Sequence, residues 1–425
     1  MSLSQMAQDG MANERAGRLF WTFFDQGIVS AGSFLIQLTL ARLLLPHDYG
    51  VFTLIFSALL TLQLVNATLL FYPMSVQLPT ATDEEKPGLL GASILLVMGL
   101  SLLLTLPLAG GLIVFGLDHV LLPALVFFLA WQAQEALRRG LFGRLRHRDA
   151  LPGDIATYVL PAAVTVAIGL TFSMSIVGAL EIMAVCAAIG ICLHARALTI
   201  AKPSKQQLQA VARSYWQIGG LPSLGNGLLS HTRLFVVPWI LAVHAGPAAT
   251  AGFQAAVNIV NLSNPLIIGL GNLIPQIVAS TRGRGLQNAW RVTRTFTLIA
   301  ALPIVVYSLL LLSWPEVVLG LFYGSGSIYL GLEWPLRLLV ICTLLGFYVE
   351  SVISFLHGAS LVGHAAEVNL YGTISVLLLA LPAILLFGIV GGCLVLIMGN
   401  LLRLARAQLT LSTTRAGPCP SATVV

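Results

Sequence analysis

The chain has 425 residues, of which 57% are hydrophobic and 9% charged, with a formal net charge of +6. Ordinary soluble domains carry about 25% charged residues, so a soluble surface of this size is excluded. A disordered chain is excluded too, because disorder goes with few apolar residues and much charge.

A helix that crosses the hydrocarbon core needs about 20 largely apolar residues. In chain order the candidate runs cover 19–40, 50–72, 89–115, 119–137, 154–173, 175–195, 214–243, 248–278, 292–313, 335–356, 366–386 and 388–408. The connectors are short, so none of them forms a soluble domain. The first run follows Glu14, Arg15 and Arg18 and contains Asp25 and Gln26. It reads as a retained helix, not a cleaved signal peptide. The predicted class is an all-α polytopic membrane protein with about 12 transmembrane helices in two six-helix lobes around a central cavity. The segments are a cytoplasmic N-terminus (1–18), an N-terminal lobe (19–195), a cytoplasmic linker (196–213), a C-terminal lobe (214–408) and a cytoplasmic tail (409–425).

Charge position sets the orientation. With the N-terminus inside, 19 of the 22 basic residues fall on cytoplasmic segments, among them Arg138, Arg139, Arg144, Arg146, Arg148 and Arg403. Arg42 and Arg337 fall toward the outside, and Arg233 lies within a span. This is the positive-inside pattern, with both termini cytoplasmic. The basic residues are scattered over six short segments. They set topology and form no continuous phosphate-binding stripe, so no nucleic-acid partner is expected.

The halves echo each other at an offset of 202, where Gly50 matches Gly252 and Pro73 matches Pro275. Six spans per half make the repeats parallel, and in such transporters the substrate lies between the halves.

Polar groups inside a span should face protein or a water-filled cavity. In the seventh run Tyr215, Gly219, Ser223, Asn226, Ser230 and Arg233 recur at spacings of three or four. In the eighth, Gln254, Asn258, Asn261, Asn264 and Asn272 share a face of roughly 120°. In the first, Thr22, Asp25, Gln26, Ser30, Ser33 and Gln37 share roughly 140°. The second adds Gln63 and Asn66. Runs 3, 9 and 12 are nearly featureless by comparison. The pattern predicts a polar cavity lined by spans 1, 2, 7 and 8; the alternative is helix–helix hydrogen bonding in a packed bundle.

Arg233 lies about 20 residues beyond Arg213, away from the cytoplasmic mouth, and roughly ten apolar residues follow it, so it need not snorkel to the outside. A fixed guanidinium in such a place suits an anionic head group, which it can bind in bidentate fashion. An ion pair with Asp25, Glu181 or Glu350 is the structural alternative. Asp25 and Glu350 are also candidates for binding a coupling proton or sodium ion. His231 lies off the Arg233 stripe and reads as packed or at the lipid interface.

Cys186, Cys192, Cys342, Cys393 and Cys419 form no C-x-x-C pair and read as small apolar residues. No G-x-x-x-x-G-K-[ST] loop occurs, and no metal-ligand cluster or nucleophile elbow. Neither an enzyme activity, a metal nor a cofactor is expected, and transport would be driven by a gradient or by consumption of the product.

At the end of the first run the chain reads Ala41-Arg42-Leu43-Leu44-Leu45-Pro46-His47-Asp48-Tyr49-Gly50-Val51-Phe52. This resembles the A-R-x-L-x-P-x-D/E-Y/F-G-x-F turn of polysaccharide and oligosaccharide flippases (O-antigen flippase-like) of the multidrug/oligosaccharidyl-lipid/polysaccharide exporter superfamily. Leu45 stands where that family usually has glycine. The resemblance implies transfer of an undecaprenyl-diphosphate-linked oligosaccharide to the outer leaflet of the bacterial inner membrane, for surface polysaccharide biosynthesis. Its implied partners are the lipid bilayer, that lipid-linked sugar, and polysaccharide polymerase and export proteins. The implied cavity again uses spans 1, 2, 7 and 8. Asparagine, glutamine and serine side chains would meet the sugars, and Arg233, then Arg42, the diphosphate. The competing readings are a multidrug or cation antiporter of the same superfamily, a polytopic glycosyltransferase or ligase, and a scaffold for polysaccharide assembly. The antiporter would want a carboxylate-rich cavity, and the ligase a sizeable catalytic loop.

Overall fold

A computed structural model describes residues 3–281 and 285–416. Among them there is no strand, and ten helices are long and apolar enough to cross a membrane. The chain divides into two compact units, Met1–Leu228 and Leu229–Val425.

The first unit contains α1 (Leu3–Leu43), α2 (Pro46–Asn66), α3 (Tyr72–Gln77), α4 (Lys86–Val114), α5 (Leu121–Gly143), α6 (His147–Asp154), α7 (Leu160–Gly169), α8 (Ile176–Arg196) and α9 (Lys205–Ile218). The first run lies on α1, which is not one of the ten. Pro46 opens α2, where a missing N–H costs nothing because the first turn has no partner for it. Two π turns interrupt the helices, at Ala67–Phe71 and Ile155–Val159. Each is followed by a proline, Pro73 or Pro161, near the start of the next segment. Proline offers no N–H and its ring crowds the carbonyl one turn back. Widening the preceding turn relieves both problems.

Helix α5 packs against α4 and α8, and α1 packs against α6, α7 and the second π turn. The expected linker is itself ordered. Its second part forms α9, capped by Ser204, whose side chain accepts from the Gln207 N–H. Val211 and Tyr215 of α9 are buried against Leu70, Met74 and Leu90. Arg144 and Arg146 donate to the carbonyls of Thr199 and Ala197, tying the α5–α6 turn to the chain after α8.

Helix α10 (Gly220–Ala245) contains the division between the units. The second unit continues with α11 (Pro247–Val260), α12 (Asn264–Thr281), α13 (Leu286–Ser313), α14 (Pro315–Tyr323), α15 (Glu333–Gly358) and α16 (Val362–Ala416). Helix α15 packs against α11, α12, α13 and α16 and carries much of this core, including Phe347, Val352 and Phe355. Runs 11 and 12 both lie on α16. They are divided at Gly388, whose φ of 56° and ψ of −130° belong to a region that only glycine enters readily.

Candidate functional site

Each unit buries one ionic cluster. In the first, Arg138 near the end of α5 is 6% exposed. Its Nη2 donates to Asp25 Oδ2 at 2.6 Å, its Nε to Asp154 Oδ2 at 2.9 Å, and its Nη1 to Glu135 Oε2 at 3.4 Å. Asp25 comes from α1, Glu135 from α5 itself, and Asp154 from the last position of α6, directly before the π turn. Gln134 donates to Asp154 at 3.1 Å, and Arg139 Nε donates to Glu135 at 2.7 Å. His194 lies 3.8 Å from Asp154 and bonds the Ala150 carbonyl at 2.9 Å. Three carboxylates therefore surround one fully enclosed guanidinium.

The second cluster has the opposite balance. Arg403 on α16 is 1% exposed. It donates to Glu350 Oε1 at 2.5 Å, Asn369 Oδ1 at 2.9 Å and Asn400 Oδ1 at 3.0 Å. Arg233 on α10 is also buried. Its Nη1 donates to the same Asn400 oxygen at 3.0 Å, and its Nη2 stands 4.0 Å from Glu350 Oε1. The Nε atoms of both arginines are buried without a hydrogen-bond partner. Glu350, by contrast, has a side chain 41% exposed. Asn400 is held in place by donating to the Cys342 carbonyl at 2.9 Å. Gly372 makes room for the Arg403 stem, since a Cβ there would meet Arg403 Cγ and Cδ.

The remaining sequence-derived candidates are distributed along both units. Asn66 is fully buried and donates to Ser101 Oγ at 2.8 Å and Gln132 Oε1 at 2.9 Å. Tyr215 is buried on α9, outside α10, with its hydroxyl 2.6 Å from Ser93 Oγ. These are packing bonds inside the first unit. Gln26 is half-buried and lies 3.5 Å from Ser30 Oγ. Arg42 is exposed at the end of α1. Asn258 is buried on α11 and accepts from Gln254 at 2.8 Å. Asn261 is exposed and opens a 3₁₀ turn, and Asn264 begins α12. This turn breaks the eighth run just before Pro265. Ser230 is half-buried on α10, and the side chain of Asn226 lies outside what the structure describes. His231 packs against Phe235 with ring centroids 4.4 Å apart and the rings tilted by 37°.

Arg233 meets one of the three acids named for it, Glu350, but loosely. Arg138 and Arg403 are corrections. Both were counted among the water-facing topology residues, and both are enclosed in helical bundles. Run 12, expected to be featureless, carries Asn400 and Arg403, and run 3 carries Ser101. Among the described residues, no three His, Cys, Asp or Glu side chains are arranged to hold a metal. Cys186, Cys192, Cys342 and Cys393 are free thiols, and Cys419 lies outside the described residues.

Comparison of the fold places the chain beside membrane transporters. It matches an inward-facing multidrug resistance MATE family transporter of the MOP superfamily at TM-score 0.70 and 15% identity, over 95% of this chain and 96% of that one. It matches the lipid II flippase MurJ in its inward closed conformation at 0.68 and 10%, over 93% and 87%. It matches a MOP superfamily transporter from Pyrococcus furiosus at 0.62 and 14%, over 92% and 96%. The chain is thus a multi-pass helical membrane protein with a MATE/MurJ-type transporter fold. No protein-family model and no curated protein matches its sequence.

Proposed function

We propose that this protein flips a polyprenyl-diphosphate-linked oligosaccharide from the cytoplasmic to the outer leaflet of a bacterial inner membrane, by alternating access, for surface polysaccharide biosynthesis. The observation that carries this reading is the second cluster. Two buried guanidinium groups face one carboxylate, and buried charge of this kind is costly unless it is paired or used. A phosphate ester supplies the missing anion with bidentate geometry. A solved structure of the same fold is named a lipid II flippase. Asn258, Asn261, Asn264, Gln26 and Ser230 are proposed to serve the sugars, with Glu350 as the exchangeable carboxylate, whereas Asp25, the other carboxylate the sequence suggests for coupling, is taken by Arg138. Both termini are proposed to be cytoplasmic.

Multidrug transport is the second reading. It is favoured by the MATE likeness of the fold. A lipid extract from cells lacking the gene separates the two. Completed oligosaccharide trapped on its polyprenyl carrier, with surface polymer lost, is the outcome expected of a flippase. Unchanged lipid intermediates together with raised sensitivity to cationic drugs support the antiporter instead. Accumulation of sugar-free carrier would place the defect in synthesis and remove the flippase reading.

A further inference from the structure

The second cluster contains its own anion. Glu350 Oε1 bonds Arg403 at 2.5 Å and faces Arg233 at 4.0 Å, so one carboxylate oxygen serves both guanidinium groups. The other partners of the pair are neutral amides, Asn369 and Asn400. These are fixed acceptors. Glu350 is the exception, because its side chain is 41% exposed and can leave without opening the bundle. An anion entering by that route would meet two arginines, each with a buried Nε that no protein atom satisfies.

The surroundings leave Glu350 as the group that must answer an incoming charge. On its own helix the neighbouring titratable groups are Cys342, Tyr348 and His357. Helices α11 and α12, which pack against α15, carry no titratable residue. Helix α13 brings Arg291 and Arg294 at its exposed beginning and Tyr307, whose hydroxyl donates to the Ile259 carbonyl. Helix α14 brings Glu316 and Tyr323, the latter donating to the Ala255 carbonyl. On α16, Glu367 is taken by Arg406, beside Tyr371, and His364 lies one turn before Glu367. No second carboxylate on these helices contacts Arg233 or Arg403 among the described residues.

We propose that Arg233 and Arg403 form a tetrahedral-oxyanion site in which Glu350 is the resident stand-in anion, exchanged for the phosphate of the substrate with uptake of one proton. The proposal rests on the flippase reading and names the group that yields its phosphate site. With the carboxylate in place the pair carries one net positive charge. A bound phosphate group brings negative charge to the same two cations, and an ionised Glu350 beside it is a like charge at contact distance. Protonation removes that repulsion, converting the carboxylate to a carboxylic acid with no other bond changed. Phosphate binding and proton binding are then linked, and each favours the other.

The test uses the full chain in lipid nanodiscs and sulfate, a tetrahedral dianion that does not itself titrate near neutral pH. Calorimetry in two buffers of different ionisation enthalpy counts protons taken up per sulfate. The expected result is uptake of about one proton, lost in Glu350→Gln, which should bind sulfate about tenfold more tightly. Sulfate binding with no proton uptake by the parent chain overturns the proposal. So does absence of sulfate binding at millimolar concentration, or a folded Glu350→Gln that binds no more tightly. The proton count on the parent chain stands even where the variant fails to fold. Proton-linked sulfate binding alongside unchanged lipid intermediates in deletion cells would keep the site and remove the flippase reading. Trapped lipid-linked oligosaccharide without proton-linked sulfate binding would do the reverse.

Discussion

The two buried clusters use the same groups to opposite effect. Around Arg138 the carboxylates outnumber the enclosed guanidinium three to one, and the second cation, Arg139, is 37% exposed. Every nitrogen of Arg138 that donates does so to a carboxylate fixed on α1, α5 or α6. In the second unit the guanidinium groups outnumber the carboxylate two to one, and that carboxylate is the accessible member. The first arrangement locks helices together, since breaking a buried pair leaves an uncompensated charge. The second keeps cations in place while leaving their counter-ion exchangeable. Burial alone therefore does not distinguish a structural ion pair from a binding one; the balance of charge and the exposure of the counter-ion do.

The comparison breaks most sharply at Arg138. Arg138→Ala strands Asp25 and Asp154, leaves Glu135 with Arg139 alone, and should cost about 3–5 kcal/mol. The expected outcome is loss of membrane-inserted protein, read by abundance and by thermal unfolding in detergent. An Arg138→Ala protein of normal abundance would mean that the first cluster is not structural.

Arg233→Ala should do the converse. It removes one hydrogen bond to the Asn400 side-chain oxygen and a 4.0 Å ion contact, and it leaves Glu350 paired with Arg403. Transport is expected to be abolished while abundance stays near that of the parent. Loss of the protein itself would assign Arg233 to the packing of the second unit. Gly372→Ala refines the same point. Its methyl would displace the Arg403 stem and crowd the Gly399 carbonyl, so transport should fall about as far as in an Arg403 variant, with a stability loss of about 1–3 kcal/mol. Growth of surface polymer and protein abundance, measured side by side, check both substitutions.

Asn66→Leu should have a smaller effect. It removes the buried bonds to Ser101 and Gln132, each worth about 0.6–2 kcal/mol in a membrane bundle. Stability should drop by that order and transport by the surviving folded fraction alone. A transport loss beyond that fraction would return Asn66 to the candidate substrate site.

How far the sequence foretold these clusters depends on the range of the contacts. The apolar runs were legible because hydropathy is local. Arg233 stood out because it is charged and far from either run end. Arg138 and Arg403 did not, because they lie near run ends, where counting basic residues assigns them to water. Their partners are 113 and 53 residues away in sequence, and no single-sequence periodicity carries a pairing of that range. A local signal was nevertheless present. Glu135, Arg138 and Arg139 share a helix face at spacings of three and four, as do Asn400 and Arg403. Polar clustering of that kind at the end of an apolar run points into the bundle.

The smallest effect is expected at an exposed pair, which serves as the reference for both clusters. Just before α4, Lys86 Nζ lies 2.7 Å from Asp83 Oδ1, and the Thr82 N–H donates to Glu85 Oε2 at 3.1 Å. The hydrogen bond from Lys86 and its charge hold the Asp83 carboxyl below its ordinary range, and the bond from the Thr82 backbone does the same for Glu85. A depressed carboxyl contributes stability that is fully present above its unfolded value and is lost as pH falls through its folded one. Both groups are solvent-facing, and surface pairs contribute little. Asp83→Asn should leave the unfolding temperature within replicate scatter near neutral pH. Whatever small difference it shows from the parent should shrink as pH is lowered through about 4, because acid protonates the parent's own carboxyl. A difference that widened on acidification would reverse the sign assigned to Asp83. A neutral-pH loss as large as that of Arg138→Ala would remove the distinction between enclosed and exposed pairs on which the comparison of the two clusters depends.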